Sequence, residues 1–235
     1  MTSALQKDII EWDVLNWATI LQLWQPIIDR YPKDSKILAI GERNGGLSLW
    51  MALQGYSVTC TDRSEPCENA RALHRRYQVS DKISYKALDI VNGVLDDEKY
   101  DIIMFKSVLG GVKKIYSQPE SRNVMARENA ISNIYSMLNA GGYMLAAENL
   151  EGSKALHYLR MRNGKHNNWH YFTPDELKEM CSVFPSVHLE CFGIIPTLSP
   201  ISFINKIIHL LNNYFLAWLP QSTRYIASVI ACKSR

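Results

Sequence analysis

Gly41, Gly45, Gly46 and Asp62 are the residues whose types and spacing point most directly to chemistry. The glycines follow the apolar run Ile37-Leu38-Ala39-Ile40, and Val58-Thr59-Cys60-Thr61-Asp62 comes about twenty residues after it, the spacing of a nucleoside-binding βαβ unit. In such a unit a buried strand ends at a glycine that admits a ligand close to the backbone. A tight turn then opens a helix, and the next strand delivers a carboxylate to the ribose hydroxyls. The pattern predicts an adenosine-bearing cofactor, with Asp62 as the ribose ligand. Arg43 stands where a dinucleotide fingerprint has its second glycine, so a pyrophosphate would fit poorly. A cofactor without phosphates fits better, which favours S-adenosylmethionine over NAD. The bland reading of the same residues is a glycine turn and an aspartate that caps a helix.

A second group of residues has the chemistry to bind an acceptor and move its proton. Glu148 and Asn149 end a predicted strand, His157 and Arg160 lie three apart on one face of a predicted helix, and Trp169-His170-Tyr171 follows. Polar side chains so grouped point to a hydroxylated, anionic substrate. Methyl transfer to an unactivated hydroxyl requires in-line approach and a base. Histidine titrates near neutrality, so His170 and His157 are the candidates, with Glu148 as a third. Each is equally readable as a surface or structural residue. Lys106 offers a cation to an anionic substrate or to the cofactor carboxylate, and Gly110-Gly111 predicts a flexible or closely approached loop. No metal-ligand cluster accompanies these residues, so no metal is expected.

The elements that must position them alternate between strand and helix. Ile83 to Leu88 reads as a third strand ending at Asp89-Ile90, and Tyr100 to Phe105 as a fourth. A helix over about 121–138 stops at Asn139-Ala140-Gly141-Gly142, and Tyr143 to Ala147 follows as a fifth strand. Before the first strand, Leu5 to Arg30 reads as an amphipathic helix or helix pair with Trp12, Trp17 and Trp24 among its apolar positions. These tryptophans read as packing residues, with Trp12 or Trp17 as an alternative wall of the pocket. Thr173-Pro174 reads as a helix cap followed by proline at the first helical position.

At these residues the chain resembles the class I S-adenosylmethionine-dependent methyltransferases, over about 36–150 and more loosely to its end. The resemblance rests on Leu38-Ala39-Ile40-Gly41 through Gly45, Asp62, Asp89-Ile90, the strand Tyr100 to Phe105, and Leu138-Asn139-Ala140-Gly141-Gly142. It implies an α/β, Rossmann-like doubly wound sheet of seven strands, mostly parallel with an antiparallel last strand, and helices on both faces. Val187 to Phe192 and Tyr225 to Cys232 resemble its closing pair of strands. It further implies that Gly41, Glu42, Arg43 and Gly45 line the methionine moiety, and that Asp62, with Arg63 beside it, holds the ribose. Asp89 and Ile90 then meet the adenine, and Phe105 and Lys106 lie beside the sulfonium. Two departures stand out: Ala39 where the family often has an acid, and Arg43 where it often has glycine.

The sequence after the fourth strand, Phe105-Lys106-Ser107-Val108-Leu109-Gly110-Gly111, lacks the Asn/Asp-Pro-Pro-aromatic motif of methyltransferases acting on adenine or glutamine amines. Together with Ala147-Glu148-Asn149-Leu150 and Trp169-His170-Tyr171 it resembles methyltransferases encoded with bacterial surface-polysaccharide enzymes. That finer resemblance implies O-methylation of a nucleotide- or lipid-linked saccharide. Two other classes stay open: a catalytically inactive member of the fold that serves a partner, and an RNA or protein methyltransferase.

Length and composition accord with one domain over 1–235, in which 1–34 form a helical cap, 35–150 the cofactor core, and 151–235 the substrate-side and C-terminal elements. A net charge of +3 without a basic run gives nucleic acid little support as a partner. Five scattered cysteines, Cys60, Cys67, Cys181, Cys191 and Cys232, form no C-x-x-C pair and argue against structural zinc or a disulfide scaffold. With no signal peptide at its start, the chain reads as cytoplasmic and reduced. The apolar stretch 201–219, broken by Asn205, Lys206, His209, Asn212 and Asn213, is too interrupted to span a membrane. It reads as a dimerisation surface, a substrate lid, or a peripheral contact with the inner face of the membrane.

Overall fold

The computed structural model describes residues 3–65, 68–95, 98–112, 120–162 and 169–234. Seven strands form one sheet: β1 (Ile37–Ile40), β2 (Val58–Asp62), β3 (Ile83–Ala87), β4 (Tyr100–Lys106), β5 (Leu138–Asn149), β6 (Ser186–Phe192) and β7 (Ile226–Cys232). Their order is β3-β2-β1-β4-β5-β7-β6. The pairs from β3 to β5 are parallel, and β7 runs antiparallel to both β5 and β6. This is the mostly parallel, doubly wound sheet expected, with its order reversing between β1 and β4.

The central strand explains why the sheet needs helices on both faces. Ile37 and Ala39 pack into one core with Trp17, Trp24 and Leu47, whereas Leu38 and Ile40 pack into the other with Ile103, Phe105 and Ile134. A strand buried on both sides reads as a continuous apolar run, as Ile37 to Ile40 does. The helices are α1 (Ser3–Ile10), α2 (Val14–Trp17), α3 (Thr19–Ile28), α4 (Gly46–Leu53), α5 (Glu68–Arg76), α6 (Glu120–Met137), α7 (Lys154–Arg162), α8 (Pro174–Met180) and α9 (Ser202–Leu210).

Three expectations change in detail. The N-terminal region is three short helices rather than one or two, and Glu11 and Asp13, with φ of 74° and 47°, make the break between α1 and α2. The stop signal after α6 lies inside β5, which starts at Leu138 and shifts register against β4 between Tyr100 and Ile102. Gly141, at φ 75°, accommodates that irregularity and takes its N–H to the carbonyls of Lys233 and Ser234. At 201–219, α9 passes into a π-turn over Leu211–Phe215. Of the cysteines, Cys60, Cys191 and Cys232 lie in strands and Cys181 is buried after α8, while Cys67 lies outside the described residues. Among the described residues no helix is long and apolar enough to cross a membrane.

Candidate active site

The carboxyl ends of β1, β2 and β4 open onto two adjoining cavities, which is where ligands bind when the strand order of an open sheet reverses. The first, of about 270 Å³, is lined by residues that include Gly41, Asp62, Arg63, Asp89, Ile90 and Val112. The second, of about 390 Å³, is lined by residues that include Glu11, Trp12, Glu42, Arg43, Lys106 and Tyr171. Gly41, Ser107 and Trp169 belong to both walls.

Gly41 is required by geometry. It stands at φ 71°, and a Cβ there would lie 2.4 Å from Cγ2 of Val108. Gly45, at φ 74°, makes the turn into α4 and lines neither cavity. His74 of α5 fixes it: one ring nitrogen lies 2.8 Å from the Gly45 carbonyl and the other 2.8 Å from the Tyr85 hydroxyl. Gly46 admits the C-terminal end of α1, since a Cβ would meet the Ile9 carbonyl oxygen at 2.1 Å. Nothing in the glycine pattern itself marks His74.

In the first cavity Asp62 ends β2 and accepts the Arg63 N–H at 2.7 Å. Asp89 closes its own turn by accepting the Val91 N–H at 3.1 Å and the Asn92 side chain at 2.9 Å, with the Arg63 guanidinium 3.6 Å away. Leu88, Ile90 and Val91 add apolar surface. A carboxylate at the end of β2 beside an apolar slot has the chemistry of a nucleoside site: hydroxyls against the acid, a flat base against the aliphatics. The residues present therefore fit the adenosine part of S-adenosylmethionine.

The two departures from the family pattern have structural answers. Ala39 is buried within the sheet, and its carbonyl accepts the Thr61 hydroxyl at 2.9 Å. Glu42 turns inward, buried, and its carboxylate accepts the Ser48 N–H in the first turn of α4 at 2.9 Å. Burial pushes its pKa up to about 7, against the pull of the Ser48 bonds and Lys106. Arg43 is largely exposed and lies 3.7 Å from the Glu11 carboxylate, which also receives the Asn44 side chain.

Lys106 is the half-buried cation of the second cavity. Its Nζ lies 3.3 Å from the centre of the Trp12 ring and donates to the Ile10 carbonyl at 3.1 Å. Desolvation lowers its pKa to about 8, against the attraction of Glu11 and Glu42. Strand alternation sends its neighbour Phe105 the other way, fully buried in the core, so Phe105 lines neither cavity. Trp12 walls the second cavity while Trp17 and Trp24 are core, and Trp24 donates to the Ser228 hydroxyl at 3.0 Å.

Ser107, between the cavities, holds a left-handed φ of 54°. Such a conformation costs about 1–3 kcal/mol and persists where neighbours enforce it. Here the Ser107 N–H donates to the Ala147 carbonyl at 2.7 Å, and Asn149 donates to its hydroxyl at 2.9 Å. The loop that follows is held by Glu148, whose Oε1 accepts the N–H groups of Val108 and Leu109, each at 2.7 Å. Glu148 is fully buried, lines neither cavity, and burial raises its pKa to about 7.

The predicted close approach at Gly110-Gly111 is made by Trp169. A Cβ on Gly110 would lie 2.3 Å from the indole nitrogen, and one on Gly111 2.9 Å from the ring. Trp169, which the sequence groups with His170 and Tyr171, lines both cavities, whereas Glu11 and Ser107 are wall residues that sequence reasoning did not single out. His170 does not reach either cavity: its ring is engaged by Glu176 at 2.6 Å and stands edge-on to Phe172. Glu176 in turn completes the capping box of α8 with Thr173, as the Thr173-Pro174 pair predicts. His157 sits half-buried on α7 and also lines neither cavity. Among the described residues no three His, Cys, Asp or Glu side chains are grouped to hold a metal.

The profile of the methyltransferase domain family matches residues 17–190, well over half of the chain. The protein belongs to that family. No curated protein sequence matches it. Among solved structures it is similar to phosphoethanolamine N-methyltransferase 2 of Haemonchus contortus in complex with phosphomonomethylethanolamine and S-adenosylhomocysteine, at 16% identity and a TM-score of 0.61, over 93% of this chain and 53% of that one. The chain thus spans about half the length of that enzyme. A putative sarcosine dimethylglycine methyltransferase of Galdieria sulphuraria is similar at 10% identity and a TM-score of 0.60, over 93% of this chain and 86% of the other. The [4+2]-cyclase SpnF is equally similar, at 13% identity and a TM-score of 0.62, over 91% and 80%. These likenesses establish the fold, and the cyclase shows that the fold alone does not name a reaction.

Proposed function

We propose that the protein transfers a methyl group from S-adenosylmethionine to a hydroxyl of a small, negatively charged acceptor. The observation that carries this reading is the pair of cavities sharing Gly41, Ser107 and Trp169. One has the lining of a nucleoside site, and the other gathers Lys106, Arg43, Asn149 and Tyr171. Bound S-adenosylmethionine supplies an electrophilic methyl group. Asp62 would hold its ribose, Ile90 and Val91 its base, and the Gly41 turn its amino-acid end.

Lys106 binds the acceptor's anionic group, and the Trp12, Trp169 and Tyr171 rings flank it and exclude water. The acceptor proton goes to a group on the cavity wall. Both wall carboxylates have partners, Ser48 for Glu42 and Asn44 with Arg43 for Glu11, but Glu42 is buried whereas Glu11 is partly exposed. Glu11, the more accessible of the two, is the base of this scheme; Glu148 and His170 take positioning roles, and His157, which lines neither cavity, takes no part. The identification of the acceptor with a surface-glycan saccharide rests on the sequence resemblance alone.

The test is transfer of labelled methyl from S-adenosylmethionine to a panel of sugar nucleotides, sugar acids and sugar phosphates, with phosphoethanolamine and RNA as alternatives. Methylation of an anionic sugar that Glu11→Gln slows sharply, with cofactor affinity unchanged, supports the scheme. Normal turnover in Glu11→Gln removes Glu11 as the base. A labelled amine or RNA in place of a sugar removes the acceptor class.

A further inference from the structure

The segment after β6 is built inside out for a soluble helix. Asn212 and His209 face the protein: Asn212 donates to the Ile195 carbonyl at 2.8 Å and to Asn16 at 3.2 Å, accepts the Ile194 and Ile195 N–H groups, and is buried. His209 reaches Asn16 at 3.3 Å. Asn16 is in turn tied to Asp13, which accepts the Thr197 N–H at 2.8 Å and the Tyr225 hydroxyl. This buried network clamps α9 and the π-turn to α2.

The outward side is apolar. Phe203, Ile207, Leu210, Tyr214, Phe215 and Trp218 are all exposed, with Trp218 at 78%, Tyr214 at 74% and Phe203 at 69%. Polar inward and apolar outward is the reverse of the pattern that buries a helix against its own core. What covers this face is indicated by charge. The chain has no Asp or Glu after Glu190, while Lys206 and Arg224 fall in the same segment. Two-fold self-association would set a carboxylate-free, cation-bearing surface against its own copy. Aromatic rings beside cations and no anions match an anionic lipid interface, into which such a face sinks without crossing.

We propose that α9 and the turn after it form an interfacial docking surface for an anionic phospholipid bilayer. This does not depend on the methyl-transfer reading.

The experiment is co-sedimentation of the full chain with vesicles of phosphatidylcholine alone and of equimolar phosphatidylcholine and phosphatidylglycerol. Binding to the anionic vesicles, weakened by salt, is expected. The variant Phe203→Ser/Phe215→Ser/Trp218→Ser should keep the melting temperature of the wild type and partition roughly tenfold less. Should that variant fold poorly, Lys206→Glu alone, at an exposed site, is expected to lower partitioning roughly fivefold. Three results would overturn the proposal: no vesicle binding, equal binding to both compositions, or binding undiminished in the variants. A wild-type dimer that the triple variant dissolves, without vesicle binding, would assign the face to a second copy instead.

Discussion

The two cavities differ in how they are made, although they share three residues. The first draws most of its wall from successive strand-to-loop turns, at Gly41, Asp62 and Asp89. The second joins the turn from Gly41 to Asn44 to residues from the N-terminal cap, the ends of β4 and β5, and Trp169 and Tyr171. A site made from consecutive turns of one supersecondary unit has its geometry written into sequence spacing. A site assembled from distant segments appears only when the chain has folded. In the proposed function the contrast also divides labour: the first cavity would hold the cofactor and the second would set what is acted upon.

The sharpest way to break the division is Asp62→Ala. Loss of a charged acceptor of ribose hydrogen bonds is expected to weaken S-adenosylhomocysteine binding by roughly tenfold to a hundredfold. Binding of an acceptor probe, such as glucuronate observed by saturation-transfer NMR, should not change. The complement is Lys106→Met, expected to weaken glucuronate about tenfold with little change in the S-adenosylhomocysteine affinity. If either variant moves both affinities together, the two cavities act as one site. Because desolvation holds the Lys106 pKa at about 8, its cation is present at neutral pH and lost above that value. Glucuronate affinity should therefore fall as pH rises through about 8 in the wild type and be flat in Lys106→Met.

A smaller effect separates the loops that carry the cavities. Burial raises the folded-state pKa of both Glu148 and Glu42 from 4.5 to about 7. A carboxyl group whose pKa rises on folding stabilises the fold most fully below its unfolded pKa, and that stability is lost as pH rises through about 7. The melting temperature should decline from about pH 4.5 to about pH 7 and level off above it, and Glu148→Gln should remove about half of that slope. An unchanged slope in Glu148→Gln would mean that Glu148 does not titrate in this range.

The same contrast explains what the sequence disclosed. β1 was legible because a fully buried parallel strand is an unbroken apolar run, and β2 and β3, which are only partly buried, because short β-prone runs end at Asp62 and Asp89. The seven-stranded, mostly parallel sheet with its antiparallel last strand followed from the alternation and the family resemblance. The chemistry of the second cavity was less legible. Ser107 carries no signal that it adopts φ 54°, since that conformation is imposed by Ala147 and Asn149 forty residues away. Glu148 and His170 are the residue types of proton transfer, yet partners chosen by the fold, backbone N–H groups for one and Glu176 for the other, turn them to holding loops and caps. Trp169 was legible as the neighbour of His170, but its packing against Gly110 and Gly111 appears only in the fold.

The most direct test of the account is calorimetric titration of the protein with S-adenosylhomocysteine, against NAD and ATP. Micromolar binding of S-adenosylhomocysteine alone, weakened in Asp62→Ala, is the predicted result. No binding of S-adenosylhomocysteine, or binding that Asp62→Ala leaves untouched, would contradict the assignment of the first cavity and leave a methyltransferase fold put to another use.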